Sequence, residues 1–365
     1  MARRTLNARR VEEIVRSMRN KPHSLHKPLR LGFVPLADCA PVVMAHELDL
    51  FAKYGVEVEL HREVGWATIR DKIIYGELDA AHAPAGLVVA ASCGLGSILA
   101  ECLTGLVMNL HGNAITLSQQ LWQRGVRDGA TLRREITPGD RLLTFGVVNP
   151  YSSHSLLLRK WLRSHTIDPE RDVHIVVVPP PQMPANLRAG HLDGYCAGEP
   201  WNSVAVLSKI GWCVATSAEM AAGHPEKVLM VRREFAGRAE HAHHAMIAAL
   251  IEACRFCDRP ENRDRVIETL AQPEYVNAPV QALRMSLGGT FDYGNGRVEK
   301  MQDFHVFARG NANEPCADKA RWVIENLHAS GLLADPGTVP VERSGEWFRS
   351  DIYRQALQLI SPTHS

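Results

Sequence analysis

The chain has 365 residues, 45% of them hydrophobic and 22% charged, an ordinary globular composition with enough length for two cores rather than one. Its 41 basic and 40 acidic side chains leave a net charge of +1, so no global field draws in nucleic acid or an anionic membrane. No stretch approaches the roughly 18 consecutive apolar residues that a membrane-spanning helix needs.

In chain order, residues 1–28 carry many Arg and Lys but lack the apolar run of a secretory signal. Arg3-Arg4 and Arg9-Arg10 superficially suggest twin-arginine export, yet the following VEEIVRSM holds two Glu and an Arg where apolar residues are required. This stretch reads as a basic tail with at most one short helix. A β-rich apolar run at 29–35 comes next, then VVMAHELDLFAKYG, whose apolar spacings near three and four predict a helix. The strand pattern VEVELHREV follows, then a second helix, WATIRDKIIYG, stopped at Gly76 as a left-handed C-cap would stop it. The phrase GELDAAHAP opens a third short strand.

The same order returns 114 residues later. Gly76 maps onto Gly190 of GHLDGYCAG, Gly32 onto Gly146, residues 56–64 onto 170–178, and Asp79 onto Asp193. Identities are few; the shared register of strand, helix, strand, helix and phrase carries the inference. Two such β-α-β-α-β units predict two α/β lobes with parallel cores. From about 235 onward the chain reads as mostly helical, in HAHHAMIAALIEACRFC, NRDRVIETLAQ, VNAPVQALRMSL and ADKARWVIENLHASG. This part is expected to complete the first lobe after the chain returns along KVLMVR. The result is a type II periplasmic-binding-protein-like fold, two α/β lobes with a ligand cleft and a hinge of two crossing segments; a flavodoxin-like tandem is the alternative. The expected divisions are a tail at 1–28, lobe I at 29–125 plus 233–365, and lobe II at 126–232. The eight cysteines sit mostly in apolar contexts and suit core thiols in a reducing cytosol. Cys254 and Cys257 have CxxC spacing but lie inside an apolar helical run without a second ligand pair, so packing rather than zinc is expected.

Right-handed crossovers bring the strand-to-helix turns of each lobe to one edge, where helix N-termini offer unpaired N–H groups. Two such edges face to face make an anion-binding cleft. In NPYSSHS, Ser152 suits an N-cap and His154 a ligand, with Ser153 between them. Trp66, opening a helix, is either a core anchor or an indole donor with a flat face. Asn113 brings an amide to the start of a crossover strand. Lys227 lies where the chain returns across the hinge, either neutralising one negative charge or standing as a solvated surface lysine. Asp79 and Asp193, in equivalent places at strand starts, read as carboxylates that satisfy backbone amides rather than as an acid/base pair. The chain contains no GxSxG elbow, P-loop, HExxH or strand-borne GxGxxG, so catalysis is not expected.

The motifs GWATIRDK, LDAAHAP, NLHGNAITLS, VVPPPQMPANL, LDGYCAGEPWN, HPEKVL and ARGNANEPCADKARW, in this order over about residues 29 to 330, resemble the nitrate-binding protein family. That family contains nitrate and bicarbonate receptors of ABC importers and a cytoplasmic nitrate/nitrite sensor. The resemblance implies an oxyanion pocket at Trp66, Asn113, His154 and Lys227, with Ser153, Gln182, Gly198 and Glu199 as further cleft candidates and no metal or cofactor. Bicarbonate receptors of the family carry an acidic residue with calcium where this chain has Lys227, which implies a monovalent anion without metal. Asn113, where nitrate transport receptors usually have Gln, looks more like the cytoplasmic sensors. One ammonium, a few neutral donors and an indole wall suit a flat, weakly hydrated anion of charge −1. Trp66 and Asn113 are expected from one jaw, His154 and Lys227 from the other.

The expected function is therefore a cytoplasmic nitrate/nitrite sensor that sequesters, and on ligand binding releases, an RNA-binding antitermination regulator, without itself touching nucleic acid or inserting in a membrane. The alternative is the binding protein of an ABC importer, which would deliver its anion to an ABC permease and would need export to the periplasm. An enzyme of the thiamine-pyrimidine synthase type shares the general fold, but its cysteine-rich active-site run does not occur here.

Overall fold

The computed structural model describes residues 27–136 and 141–360; the basic tail, apart from Lys27 and Pro28, lies outside the described residues. In chain order the strands are β1 (Leu29–Phe33), β2 (Val58–Arg62), β3 (Ala80–Pro84), β4 (Cys102–His111), β5 (Asn113–Ser118), β6 (Leu143–Val147), β7 (Val173–Val177), β8 (Gly194–Gly198), β9 (Gly211–Thr216), β10 (Pro225–Arg232), β11 (Thr290–Gly294), β12 (Arg297–Lys300) and β13 (His305–Val306). They form a six-stranded sheet in the order β13-β4-β10-β3-β1-β2, a five-stranded sheet β7-β6-β8-β5-β9, and the hairpin β11-β12. Both larger sheets are mixed, parallel within each repeat and antiparallel where β10 and β5 join them. This is the periplasmic-binding-protein-like α/β architecture.

The repeat is visible in the register. Gly32 faces Ala81 across β1 and β3, and Gly146 faces Tyr195 across β6 and β8, both pairs separated by 114 residues from their counterparts. The middle strands slip by one: Leu31 pairs with Leu60, but Phe145 pairs with Ile175, so a single residue enters before β7 and is removed again before the phrase. Each phrase follows a helix, Trp66–Ile74 or Met183–Arg188, and a glycine in the left-handed region, Gly76 at φ 73 or Gly190 at φ 74. Glycine holds that conformation without the Cβ penalty, which ends the helix and starts the strand. The leucine of each phrase then covers the glycine of the first strand. A Cβ on Gly146 would sit 3.0 Å from Leu192 Cδ1, and one on Gly32 would clash with Leu78 and stand 2.9 Å from Ile69 Cδ1.

The phrase aspartates do the structural work expected of them. Asp79 accepts from the Arg30 backbone N–H at 2.9 Å and pairs with the Arg30 side chain; Asp193 accepts from the Thr144 N–H at 2.7 Å and pairs with Arg141. Each locks the phrase to the head of the strand it will flank.

Two expectations change. The strands switch sheets at His111–Asn113 and return between Thr216 and Pro225, inside the divisions drawn at 125/126 and 232/233. β5 follows β4 after one residue and at once pairs with β8, so the turn, not the helical stretch beyond it, carries the crossing. The C-terminal part also does more than complete the first lobe. It contains the hairpin β11-β12, whose Phe291 and Tyr293 pack with Ala114, Val206 and Cys213 of the five-stranded layer. From the helix Ala317–Ala329 and its end, the Ala329 and Ser330 carbonyls accept from Arg163 at 2.6 and 2.8 Å. A helical reading missed the hairpin because its Asn295-Gly296 turn lies in a short, half-exposed segment with little periodicity. Cys254 and Cys257 are buried in the helix Glu240–Asp258. No helix among the described residues is long and apolar enough to cross a membrane.

Candidate functional site

The four principal candidates meet at the interface of the two sheets. Trp66 is the first residue of its helix, reached from β2 through an extended Gly65. Lys227 lies in β10, between Pro84 of β3 and Asn109 of β4. Asn113 begins β5 opposite Gly198 of β8, and His154 is in the first turn of the helix Ser153–Ser164 after β6. Ser152 caps this helix, accepting from the Ser155 N–H. The pairing across the cleft differs from expectation: Trp66 and Lys227 come from the six-stranded side, Asn113 and His154 from the five-stranded side. The early crossing at His111–Asn113 transfers Asn113, and the return before β10 restores Lys227.

The site is sealed. Trp66 is 1% exposed, and Asn113, His154 and Lys227 are fully buried. Charge at this depth must be compensated. Lys227 Nζ lies 2.7 Å from Asp38 Oδ2 and 2.6 Å from Glu226 Oε1, and 5.3 Å from the Trp66 ring centroid, within reach of a cation–π contact. Burial alone would depress the lysine, but the two carboxylates outweigh it and hold its pKa above the ordinary value. His82 of β3 places Nε2 3.0 Å from Asp38 Oδ1, off hydrogen-bond alignment, and tilts against Trp66 at 5.5 Å.

Glu226 is where the cleft-facing donors converge. Its Oε2 accepts from Asn113 Nδ2 at 2.5 Å and from Ser153 Oγ. His154 Nε2 stands 3.6 Å from Oε1, and His224 Nδ1 3.8 Å from Oε2. Burial pushes the Glu226 carboxyl up, yet Lys227, His154 and His224 together bring it down to about 2. Burial lowers His154 to about 4 and His224 to about 3, so both rings are neutral near pH 7. Several polar atoms around the seat have no hydrogen-bond partner among the described residues, including Trp66 Nε1, Asn113 Oδ1 and both ring nitrogens of His154.

The remaining candidates divide. Ser153 is in the cluster. Gly198 lies beside it: a Cβ there would come within 3.5 Å of Asn113 Oδ1. Glu199 is fully buried behind the cluster, with Oε2 accepting from the Ser203 N–H and its backbone bonded to Ala37 and Gly112. Burial raises the Glu199 carboxyl to about 7. Gln182 does not join them. It ends a 3-10 turn, and its side chain is exposed.

Sequence reasoning missed Asp38, His82 and Glu226. Two signals were available: Asp38 lies in the turn after β1, and His82 lies inside the phrase, both in segments that face the cleft. Glu226 was less accessible. In a regular strand it would point away from the face that Lys227 occupies, but β10 shifts register against β4 on both sides of Lys227, and such a bulge re-aims side chains.

A trigonal carboxylate is held here by an amide, a hydroxyl and an ammonium, beside two imidazoles and an indole, a donor set whose chemistry suits small planar oxyanions in general. Among the described residues no group of three or more His, Cys, Asp or Glu side chains is placed to hold a metal ion. The profile of the NMT1-like family matches residues 24–271. The chain belongs to the NMT1-like family. It is 40% identical over 313 residues to the nitrate import ATP-binding protein NrtC of Synechocystis sp., covering 84% of this chain and 47% of that protein. Thus it spans about half the length of that relative. It is 32% identical over 348 residues to the nitrate/nitrite binding protein NrtA of Synechococcus elongatus, covering 92% of this chain and 78% of the relative. The crystal structure of the periplasmic nitrate-binding protein NrtA from Synechocystis superposes with a TM-score of 0.86 at 26% identity, covering 92% of this chain and 89% of that one. These two relatives, matched over most of their length, are by name binding proteins.

Proposed function

We propose that the protein binds nitrate or nitrite in the seat between its two sheets. The observation that carries this reading is the convergence of Asn113, Ser153, His154 and Lys227 on one buried trigonal carboxylate. A planar anion of the same size and charge meets the same donors, with Trp66 as its wall. A micromolar dissociation constant requires about −8 kcal/mol, within reach of three or four charge-assisted hydrogen bonds at roughly 1.5–3 kcal/mol each before closure costs.

In this reading the protein is a cytoplasmic sensor. Binding shifts the two layers toward their closed arrangement and releases an RNA-binding antitermination regulator. The eight cysteines, all free and six of them buried, support a reducing compartment. The second reading is the substrate-binding protein of an ABC importer, favoured by the likeness to the periplasmic nitrate-binding protein NrtA. Recovery of the full-length product from the periplasm would exclude the sensor.

Calorimetric titration with nitrate, nitrite, bicarbonate and an alkanesulfonate tests the ligand. Nitrate or nitrite is expected to bind the wild type in the micromolar range, and Lys227→Glu, which would bury a third carboxylate, is expected to abolish it. No binding of either anion at millimolar concentration would overturn the reading.

A further inference from the structure

The seat has a charge imbalance that the anion-binding reading must resolve. Among its fully buried side chains stand one ammonium, Lys227, and two carboxylates, Asp38 and Glu226. The imidazoles that face them are His82 on β3, His154 on the helix after β6, and His224 just before β10, with His111 of β4 tilted against His224 at 5.3 Å. Asn113 on β5 and Ser153 add neutral donors. With neutral imidazoles the ammonium is already overmatched. A further anion would place three negative charges against one positive charge in a site without water access, an arrangement whose desolvation cost the remaining donors do not offset. Glu226 can leave these donors only by turning its side chain aside within the buried site, since β10 is an interior strand bonded to β3 on one side and β4 on the other.

We propose that the Glu226 carboxylate is an internal counter-anion occupying the ligand's seat, and that an external oxyanion takes this seat together with one proton. The inference rests on the anion-binding reading above. On binding, the ligand takes over the donors of Lys227, Asn113, Ser153 and His154, and Glu226 loses the ammonium contact that keeps it ionised. The proton neutralises the facing pair Glu226 and His154, whose Oε1 and Nε2 stand 3.6 Å apart. Nitrate carries no proton of its own in this pH range, so the proton must come from solvent. A group that binds its proton more tightly in the complex makes affinity fall as pH rises, here by up to tenfold per pH unit. Loading of the protein thus depends on pH as well as on anion concentration.

Nitrate binding to the full chain, measured by calorimetry at pH 6, 7 and 8 in buffers of different protonation enthalpy, tests this. The expected result for the wild type is uptake of about one proton per nitrate and a loss of affinity of about tenfold per pH unit. For Glu226→Gln, whose amide removes the surplus charge, the expected result is little proton uptake and at least tenfold tighter binding than wild type at pH 8. Wild-type binding that is independent of pH and buffer would overturn the coupling and leave the anion site standing; the wild-type measurement decides this even where Glu226→Gln does not fold. Failure of both proteins to bind millimolar nitrate at pH 6 would remove the anion site and the coupling with it.

Discussion

Replacing Lys227 by Met removes the ammonium and keeps most of the side chain's volume. Asp38 and Glu226 then face one another across the vacated charge, both fully buried. Breaking a buried ion pair by deleting one partner costs about 3–5 kcal/mol, which for a chain of this length lowers the melting temperature by about 5 °C. The pH dependence is the sharper criterion. In the wild type, burial raises both carboxyls, but Lys227 and the neighbouring imidazoles overcome it; Asp38 lies below the ordinary carboxylate range and Glu226 at about 2. A group depressed in the folded state contributes stability above its unfolded pKa and loses it only as pH falls through the folded value. The wild-type contribution is therefore flat from pH 8 to pH 5. Without Lys227, burial prevails and both folded pKa values rise above the unfolded ones. Stability is then fully present only below the unfolded pKa and is lost as pH rises through the raised folded values. The deficit of Lys227→Met should be largest at pH 8 and shrink toward pH 5. Adding Asp38→Asn should recover part of it at pH 8. Urea unfolding of the three proteins across this range measures each term. A deficit equal at both ends, or below about 1 kcal/mol at pH 8, would refute the reasoning.

Three further outcomes are expected. Asp79→Ala and Asp193→Ala should each destabilise by about 1.5–3 kcal/mol, because each strands a backbone N–H bonded to a carboxylate; anion titration should show nearly unchanged affinity at both equivalent positions. Gly32→Ala should cost more than Gly146→Ala, within the range of about 1–3 kcal/mol for overpacking, since the added methyl clashes with Leu78 and Ile69 in the first case and meets Leu192, Met183 and Tyr195 at 3.0, 3.1 and 3.3 Å in the second; paired denaturation curves give the order. Burial raises Glu199 to about 7, so the wild type loses stability as pH climbs from the unfolded carboxylate range to 7. Glu199→Gln, whose amide oxygen can still accept from the Ser203 N–H, should flatten that slope and gain up to about 3 kcal/mol over wild type at pH 8.

The repeat was legible because it is written in local terms. Gly76 and Gly190 end their helices through backbone conformation, Asp79 and Asp193 close onto the strands they flank, and Leu78 and Leu192 cover Gly32 and Gly146. Each of these follows from residue type at short range, so the lobes could be read one unit at a time. Trp66, His154 and Lys227 were reachable because helix starts and hinge returns are where a cleft must lie.

What the chain could not disclose locally was membership and sign. Whether Asn113 belongs with Trp66 or with His154 depends on the point at which β4 gives way to β5, and that is decided by the pairing of Asn113 with Gly198, 85 residues away in the numbering. Whether Glu226 points at solvent or into the seat depends on a register shift against β4, which only the packed sheet imposes. The charge of the site is likewise a tertiary property. The sequence by itself determined one lysine and one histidine, His154, near a cleft; burial together, beside Asp38, Glu226 and His224, decided that the lysine is already neutralised and the imidazoles uncharged. Desolvation and Coulomb terms act through space, and two groups far apart in the chain titrate together only once the fold has excluded water from between them.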